Sequence, residues 1–279
     1  MKPMGMIPSL ITLGNAVCGF TAIYEIAHGH YHQAAWLILL AMVFDAFDGK
    51  VARMTKQTSD FGAQLDSLSD AISFGIAPAM LVALMNQPSP GMLITYWSKA
   101  TWFFCLLYTL STILRLARYN VEAKRGTAEP DTFTGLPSPA AAGMISAIVI
   151  LSRFITDKIE GPQLGWLSDP AAHQLSALII SVGLPAAALA LGYLMVSSRV
   201  KYVHVFNRYL SGKRPFHYFT GLIFFVVLVA AVREIALFLG FLAYVSHGPI
   251  SLLIREIRQP KADMKAAPAD PSTRPPGGA

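Results

Sequence analysis

Charge is scarce in this chain. Only 14% of its 279 residues are Asp, Glu, Lys or Arg, against 54% apolar residues and a mean hydropathy of +0.48, which excludes an ordinary water-soluble domain. Cysteine is almost missing. Cys18 and Cys105 both lie inside apolar stretches with no pairing pattern, so neither a disulfide framework nor a cysteine-rich metal centre is expected. No stretch rich in Pro, Gly or Ser divides residues 1–258 and no repeat of fixed period recurs, so one domain is expected there. The chain also lacks any Ser-His or Cys-His arrangement that would point to a covalent intermediate.

What remains is a set of long apolar runs. Crossing about 30 Å of hydrocarbon takes roughly 20 helical residues, and eight stretches meet that length, at 8–27, 33–54, 63–85, 99–119, 138–155, 173–196, 216–232 and 234–252. The fold class expected is all-α, a polytopic transmembrane helix bundle. The last two stretches also fit one long tilted helix interrupted only by Arg233-Glu234, which would make seven. With eight, 18 of the 22 Lys and Arg residues fall on one side, and the positive-inside rule then puts both termini on the cytoplasmic side of an inner or plasma membrane. The first run is about 20 residues long, lacks a clear small-residue cleavage site and is read as a retained helix. The net charge of +6 follows from this topology and from anionic lipid headgroups, so no nucleic-acid partner is implied. Residues 259–279, dense in Pro, Ala, Gly and Asp, cannot bury a core and are expected to form a disordered cytoplasmic tail.

Against this apolar background, four acids stand in phase at the end of the second run: Asp45, Asp48, Asp66 and Asp70. Asp45 and Asp48 are three apart on a helix and share a face with Gly49 and Ala52; Asp66 and Asp70, four apart, share a face of the next helix. Unpaired, each carboxylate in hydrocarbon costs about 2.5–3.5 kcal/mol on insertion scales. Divalent cations remove that penalty, and an all-oxygen donor set selects hard ions, Mg²⁺ or Mn²⁺, over zinc. Gly49 and Ala52 leave the face bare for a phosphorylated group, and Arg53 offers a planar fork for phosphate oxygens. The alternative is that the acids pair with Lys50, Arg53 and Lys56 in a solvated loop, which does not account for the small residues in phase with all four acids.

The run Asp45-x2-Asp48-Gly49-x2-Ala52-Arg53-x8-Gly62-x3-Asp66-x3-Asp70 resembles the signature of the CDP-alcohol phosphatidyltransferase family at every fixed position. The resemblance implies a shared membrane-helix bundle in which Asp45, Asp48, Asp66 and Asp70 hold two divalent ions, with Asp70 also the candidate catalytic base. It further implies that Gly49, Ala52, Arg53, Ser59 and Gly62 line the site for CDP-diacylglycerol, and it suggests a homodimer.

Further segments resemble the serine-accepting branch of that family: Pro8 to Asn15, Gln64 to Pro78, Leu114-Arg115-Leu-Ala-Arg118-Tyr-Asn120 and Phe133-Thr-Gly135-Leu-Pro137-Ser138-Pro139. The implied reaction gives phosphatidylserine and CMP. L-Serine enters as a zwitterion, and a guanidinium from Arg115 or Arg118 would match its carboxylate; both arginines are equally well read as cytoplasmic anchors. Pro137 and Ser138 are further serine-binding candidates at the start of the fifth run. Pro137 and Pro139 would free backbone groups for substrate, or only shape the loop. Asn15 either faces the pocket or bonds across helices. His28, His30 and His32 alternate in a short loop on the side away from the acids, where a solvated loop is the simpler reading than a metal site. Two kinds of rival stand beside this one: the same chemistry with glycerol 3-phosphate, inositol phosphate or an ether-lipid donor, and a divalent-cation transporter. A transporter would want acids spread through the membrane depth, and here they gather at one end.

Overall fold

The computed structural model describes residues 6–55, 60–86, 96–125, 132–160, 177–203 and 233–263. Helix α1 (Met6–Ala27) turns at Gly29, whose φ of +79° is a conformation natural to glycine, into α2 (Tyr31–Thr55). After α3 (Asp60–Asp70) the chain widens into a π turn (Ala71–Ile76) and continues as α4 (Ala77–Met85). Helix α5 (Tyr96–Arg125), strand β1 (Thr132–Thr134) and α6 (Ser138–Glu160) follow. A second π turn (Ile179–Gly183) leads into α7 (Leu184–Val196), strand β2 (Lys201–Val203) and α8 (Arg233–Asp263). Among the described residues, six helical stretches are long and apolar enough to cross a membrane. The expected span 33–54 is helical as α2, but its second half carries the acids and bases of the motif. The expected span 216–232 lies outside the described residues. The protein is thus a helical membrane bundle.

Both π turns end two residues before a proline, Pro78 and Pro185, and the first has a visible cause. Proline has no N–H, so Pro78 cannot donate to the carbonyl of Phe74 four residues back. That carbonyl instead accepts a hydrogen bond from the fully buried Tyr108 hydroxyl of α5 at 2.9 Å. The widened turn is paid for by a neighbouring helix.

Small residues bring the helices close, as lipid-immersed packing requires. Helices α2 and α6 pack on each other, and Ala34, Ala35 and Ala41 of α2 and Ala140, Ala141 and Ala142 of α6 are all buried. At Gly192 of α7 a β-carbon would lie 3.3 Å from the Tyr108 Cα of α5, and at Gly143 of α6 it would strike the ring of Phe241 in α8. These glycines act as scaffold, whereas a β-carbon at Gly183 would meet nothing within 4 Å.

The all-α expectation missed one feature. Strands β1 and β2 pair antiparallel, Phe133 opposite Tyr202, and form a two-stranded clasp at the α6 N-terminus. Gly135 follows β1 with φ +82°; its N–H donates to Val200 O at 2.9 Å, and its α-carbon lies against the Met195 carbonyl, where a side chain has no room. The Tyr202 hydroxyl then donates to Val245 O at 3.1 Å and ties the clasp to α8. Helix α8 runs to Asp263, five residues into the stretch expected to be disordered; residues 264–279 lie outside the described residues.

Candidate active site

Helix α1 packs on both α2 and α3, and the polar residues of the three sequences converge there. Asp45 and Asp48 come from the last turns of α2 and Asp66 from α3; one carboxylate oxygen of each lies within 4.8 Å of the others. At that spacing each pair of charges repels by about 3 kcal/mol, taking an effective dielectric of about 20. The trio is therefore unstable as three bare carboxylates. Asp48 is 5% exposed, and Asp48 Oδ2 and Asp66 Oδ1 are buried without a hydrogen-bond partner among the described residues. Donor chemistry and orphaned oxygens together fit a hard divalent cation, which takes carboxylate oxygens and needs no Cys or His.

Asp70 stands one turn beyond Asp66, 7% exposed and outside the trio's 4.8 Å group. Its Oδ1 accepts a hydrogen bond at 3.0 Å from Nδ2 of Asn15, a fully buried residue of α1. The Asn15 carbonyl accepts in turn from the Ser73 hydroxyl at 3.0 Å, which locks α1 to the π turn. One turn before Asn15, the Thr12 hydroxyl donates to Asp48. Helix α1 thus holds one acid of each pair from a single face. The two readings of Asn15 turn out to be compatible, since its cross-helix bond ends on a site residue. Thr12 was missed as a site residue; the signal was two polar residues three apart in an apolar span.

Arg115 of α5 is partly buried with Asp70 and Asp45 among its charged neighbours, and its Nη1 donates to the buried Ser138 hydroxyl at 2.9 Å. Ser138 opens α6, with Pro139 in the first turn, where no N–H is needed, and the Pro137 carbonyl accepts from Ala141 N at 3.1 Å. Arg115 therefore stands near Asp70 and Asp45 and is bonded to Ser138, which Pro137 precedes. The structure does not bring Arg118 there: that side chain is exposed and pairs with Glu122 at 2.8 Å. Asn120, also unassigned from sequence, donates to the Ser67 hydroxyl at 2.8 Å and fastens α5 to α3.

Of the expected nucleotide-binding residues, Gly49 is in α2 next to Asp48, with open space where a β-carbon would stand, and Gly62 is in the first turn of α3. Ala52 and Arg53 lie on the last helical turns of α2, while Ser59 lies outside the described residues. The three histidines of the α1–α2 turn have separate partners: His28 contacts Tyr24 O, His30 pairs with Glu25 at 2.7 Å, and His32 Nε2 accepts from Trp36 Nε1 at 3.1 Å.

Comparison with known proteins agrees with this geometry. Residues 5–190 match the family model of CDP-alcohol phosphatidyltransferase. The chain belongs to that family. It is similar to the CDP-diacylglycerol–serine O-phosphatidyltransferase of Bacillus subtilis (strain 168), 39% identical over 152 residues, which is 53% of this chain and 76% of the relative. The protein of the same name from Helicobacter pylori (strain ATCC 700392 / 26695) is 32% identical over 156 residues, 55% of this chain and 61% of the relative. An archaetidylserine synthase of Methanothermobacter thermautotrophicus is 38% identical over 152 residues, 52% of this chain and 58% of the relative. Strand β2 and helix α8 fall beyond the region that the family model matches.

Proposed function

We propose that the protein transfers the phosphatidyl group of CDP-diacylglycerol to the hydroxyl of L-serine, giving phosphatidylserine and CMP. The observation that carries this reading is the convergence of Asp45, Asp48 and Asp66 from two helices beside Asp70 and Arg115. The names of the similar proteins support serine as the acceptor.

In the proposed mechanism, Asp45, Asp48 and Asp66 hold the divalent ions, Mg²⁺ or Mn²⁺, and Asp70 completes the acid cluster on the side facing Arg115. When bound, such ions neutralise the pyrophosphate and the negative charge that develops on phosphorus and on the departing oxygen. Gly49, Ala52, Arg53, Ser59 and Gly62 receive the cytidine diphosphate moiety, the glycine surface letting it approach the backbone. Arg115, held by Ser138, takes the serine carboxylate through its planar fork. Pro137 sets the start of α6, and with it the position of Ser138.

Asp70, kept an acceptor by the Asn15 amide, removes the proton from the serine hydroxyl. The serine oxygen forms its bond to the phosphorus that carries diacylglycerol, and the bond from that phosphorus to the bridging oxygen breaks. The electron pair leaves with CMP. Placement and electrostatics supply the acceleration. The excess of basic residues on one side supports a cytoplasmic position for the site and both termini. The suggestion of a homodimer stands beside this mechanism as the oligomeric form the family resemblance implies.

A second donor, with ether-linked chains, is favoured by the likeness to an archaetidylserine synthase. Ion transport is disfavoured, because the buried acids among the described residues, Asp48 and Asp70, both belong to one end of the bundle. The test is an acceptor screen on the purified protein with CDP-diacylglycerol, following CMP release. Serine is expected to support release, and glycerol 3-phosphate and inositol phosphate are not. Release with either phosphorylated alcohol and not with serine would overturn the assignment.

A further inference from the structure

At the end of the bundle away from the acids, the α1–α2 turn and the last turns of α6 border a half-open cavity of about 590 Å³, with His30, His32, Ser152, Arg153 and Asp157 on its wall. A second cavity, of about 240 Å³, adjoins it along the length of α6. Its wall is nearly all carbon, from Ile148, Ile155, Ile179, Gly183 and Phe238. The two lie side by side: Ser152 lines both, and the successive residues Ile179 and Ile180 line one each. A β-carbon at Gly183 would meet nothing within 4 Å, so among the described residues no side chain fills the apolar part there.

A polar chamber at the helix ends with an apolar groove beside it matches the two parts of an amphiphile, and its charges specify which one. Arg153 and Asp157 stand 3.0 Å apart with 58% and 54% of their side chains exposed, so each still has hydrogen-bonding capacity toward the chamber. A phosphate fits the guanidinium, and a primary ammonium fits the carboxylate. A headgroup with phosphate alone would meet Asp157, and Glu25 on His30, without compensation. The aliphatic chain would run over Ile148 and Ile155, where it exchanges one apolar surface for another.

We propose that this composite cavity binds one phospholipid with a zwitterionic headgroup of phosphate and primary ammonium, taken from the leaflet opposite the acid cluster. It is separate from the proposed reaction site, and its occupant is not turned over.

The experiment is native mass spectrometry of the full chain in detergent, offered dioleoylphosphatidylethanolamine, dioleoylphosphatidylglycerol or chain-free glycerophosphoethanolamine in turn. The wild type is expected to retain one phosphatidylethanolamine, several-fold more than phosphatidylglycerol, and none of the chain-free compound. Gly183→Phe, which fills the groove, and Arg153→Gln, which removes the phosphate partner, are each expected to lose that lipid. Asp70→Asn, at the other end, is expected to keep it. Arg153 is half exposed, so Arg153→Gln still decides the matter should Gly183→Phe fail to fold. Equal retention of phosphatidylglycerol, retention of the chain-free headgroup, or undiminished retention in Arg153→Gln would overturn the proposal.

Discussion

Gly19 of α1 gives the sharpest test of how the fold aims the proposed base. A β-carbon there would lie 2.8 Å from the Ser73 Cα and would also strike the Ser73 hydroxyl. Carbon atoms rest at about 3.5–4.0 Å, so Gly19→Ala forces α1 and the π turn apart by roughly 1 Å. Two bonds of 3.0 Å cross or adjoin that contact, Ser73 to Asn15 O and Asn15 to Asp70, and an added ångström takes either beyond useful range. Overpacking of this kind costs about 1–3 kcal/mol of stability. A catalytic group displaced by about 1 Å loses on the order of a hundredfold in rate. The expected outcome is a fall in kcat of that order for CMP release from CDP-diacylglycerol and serine, with a lower thermal midpoint in detergent. Gly240→Ala, in α8, is the control, since a β-carbon there meets nothing within 4 Å. Wild-type turnover in Gly19→Ala, or an equal loss in Gly240→Ala, would refute the reasoning.

Tyr108→Phe leaves the buried Phe74 carbonyl without the donor that compensates Pro78, and a lone buried acceptor costs about 1–3 kcal/mol; a lower thermal midpoint with unchanged metal binding is the expected reading. Arg115→Lys replaces a planar fork by a point charge. Losing one charge-assisted hydrogen bond of about 1.5–3 kcal/mol raises KM for serine by roughly 10- to 100-fold, while KM for CDP-diacylglycerol stays near the wild-type value; steady-state kinetics with each substrate varied separates the two.

The long helices and the acid motif were legible because each depends on residues close in sequence. Twenty apolar residues in a row specify a membrane helix without reference to anything else, and the phase of Asp45 with Asp48 and of Asp66 with Asp70 follows from helical pitch alone. What escaped depends on partners far along the chain. Asn15 and Asp70 are 55 residues apart, and nothing local says which face of α1 meets α3. The β1–β2 clasp joins two three-residue strands on either side of α6 and α7, too short for an alternating pattern to register. The π turn needs both Pro78 and Tyr108, which stands 34 residues beyond the Phe74 carbonyl it bonds. Arg115 and Arg118 read alike in sequence, and only the packing of α5 separates the one that faces Ser138 from the one that pairs with Glu122 on the surface.

The central claim is that Asp45, Asp48 and Asp66 form the metal site and Asp70, held by Asn15, does the proton chemistry. Mn²⁺ binding and CMP release measured side by side on Asp66→Asn and Asp70→Asn test it most directly. The account predicts that Asp66→Asn loses both, whereas Asp70→Asn still binds Mn²⁺ and no longer turns over. Wild-type Mn²⁺ affinity and undiminished CMP release in Asp66→Asn would contradict it.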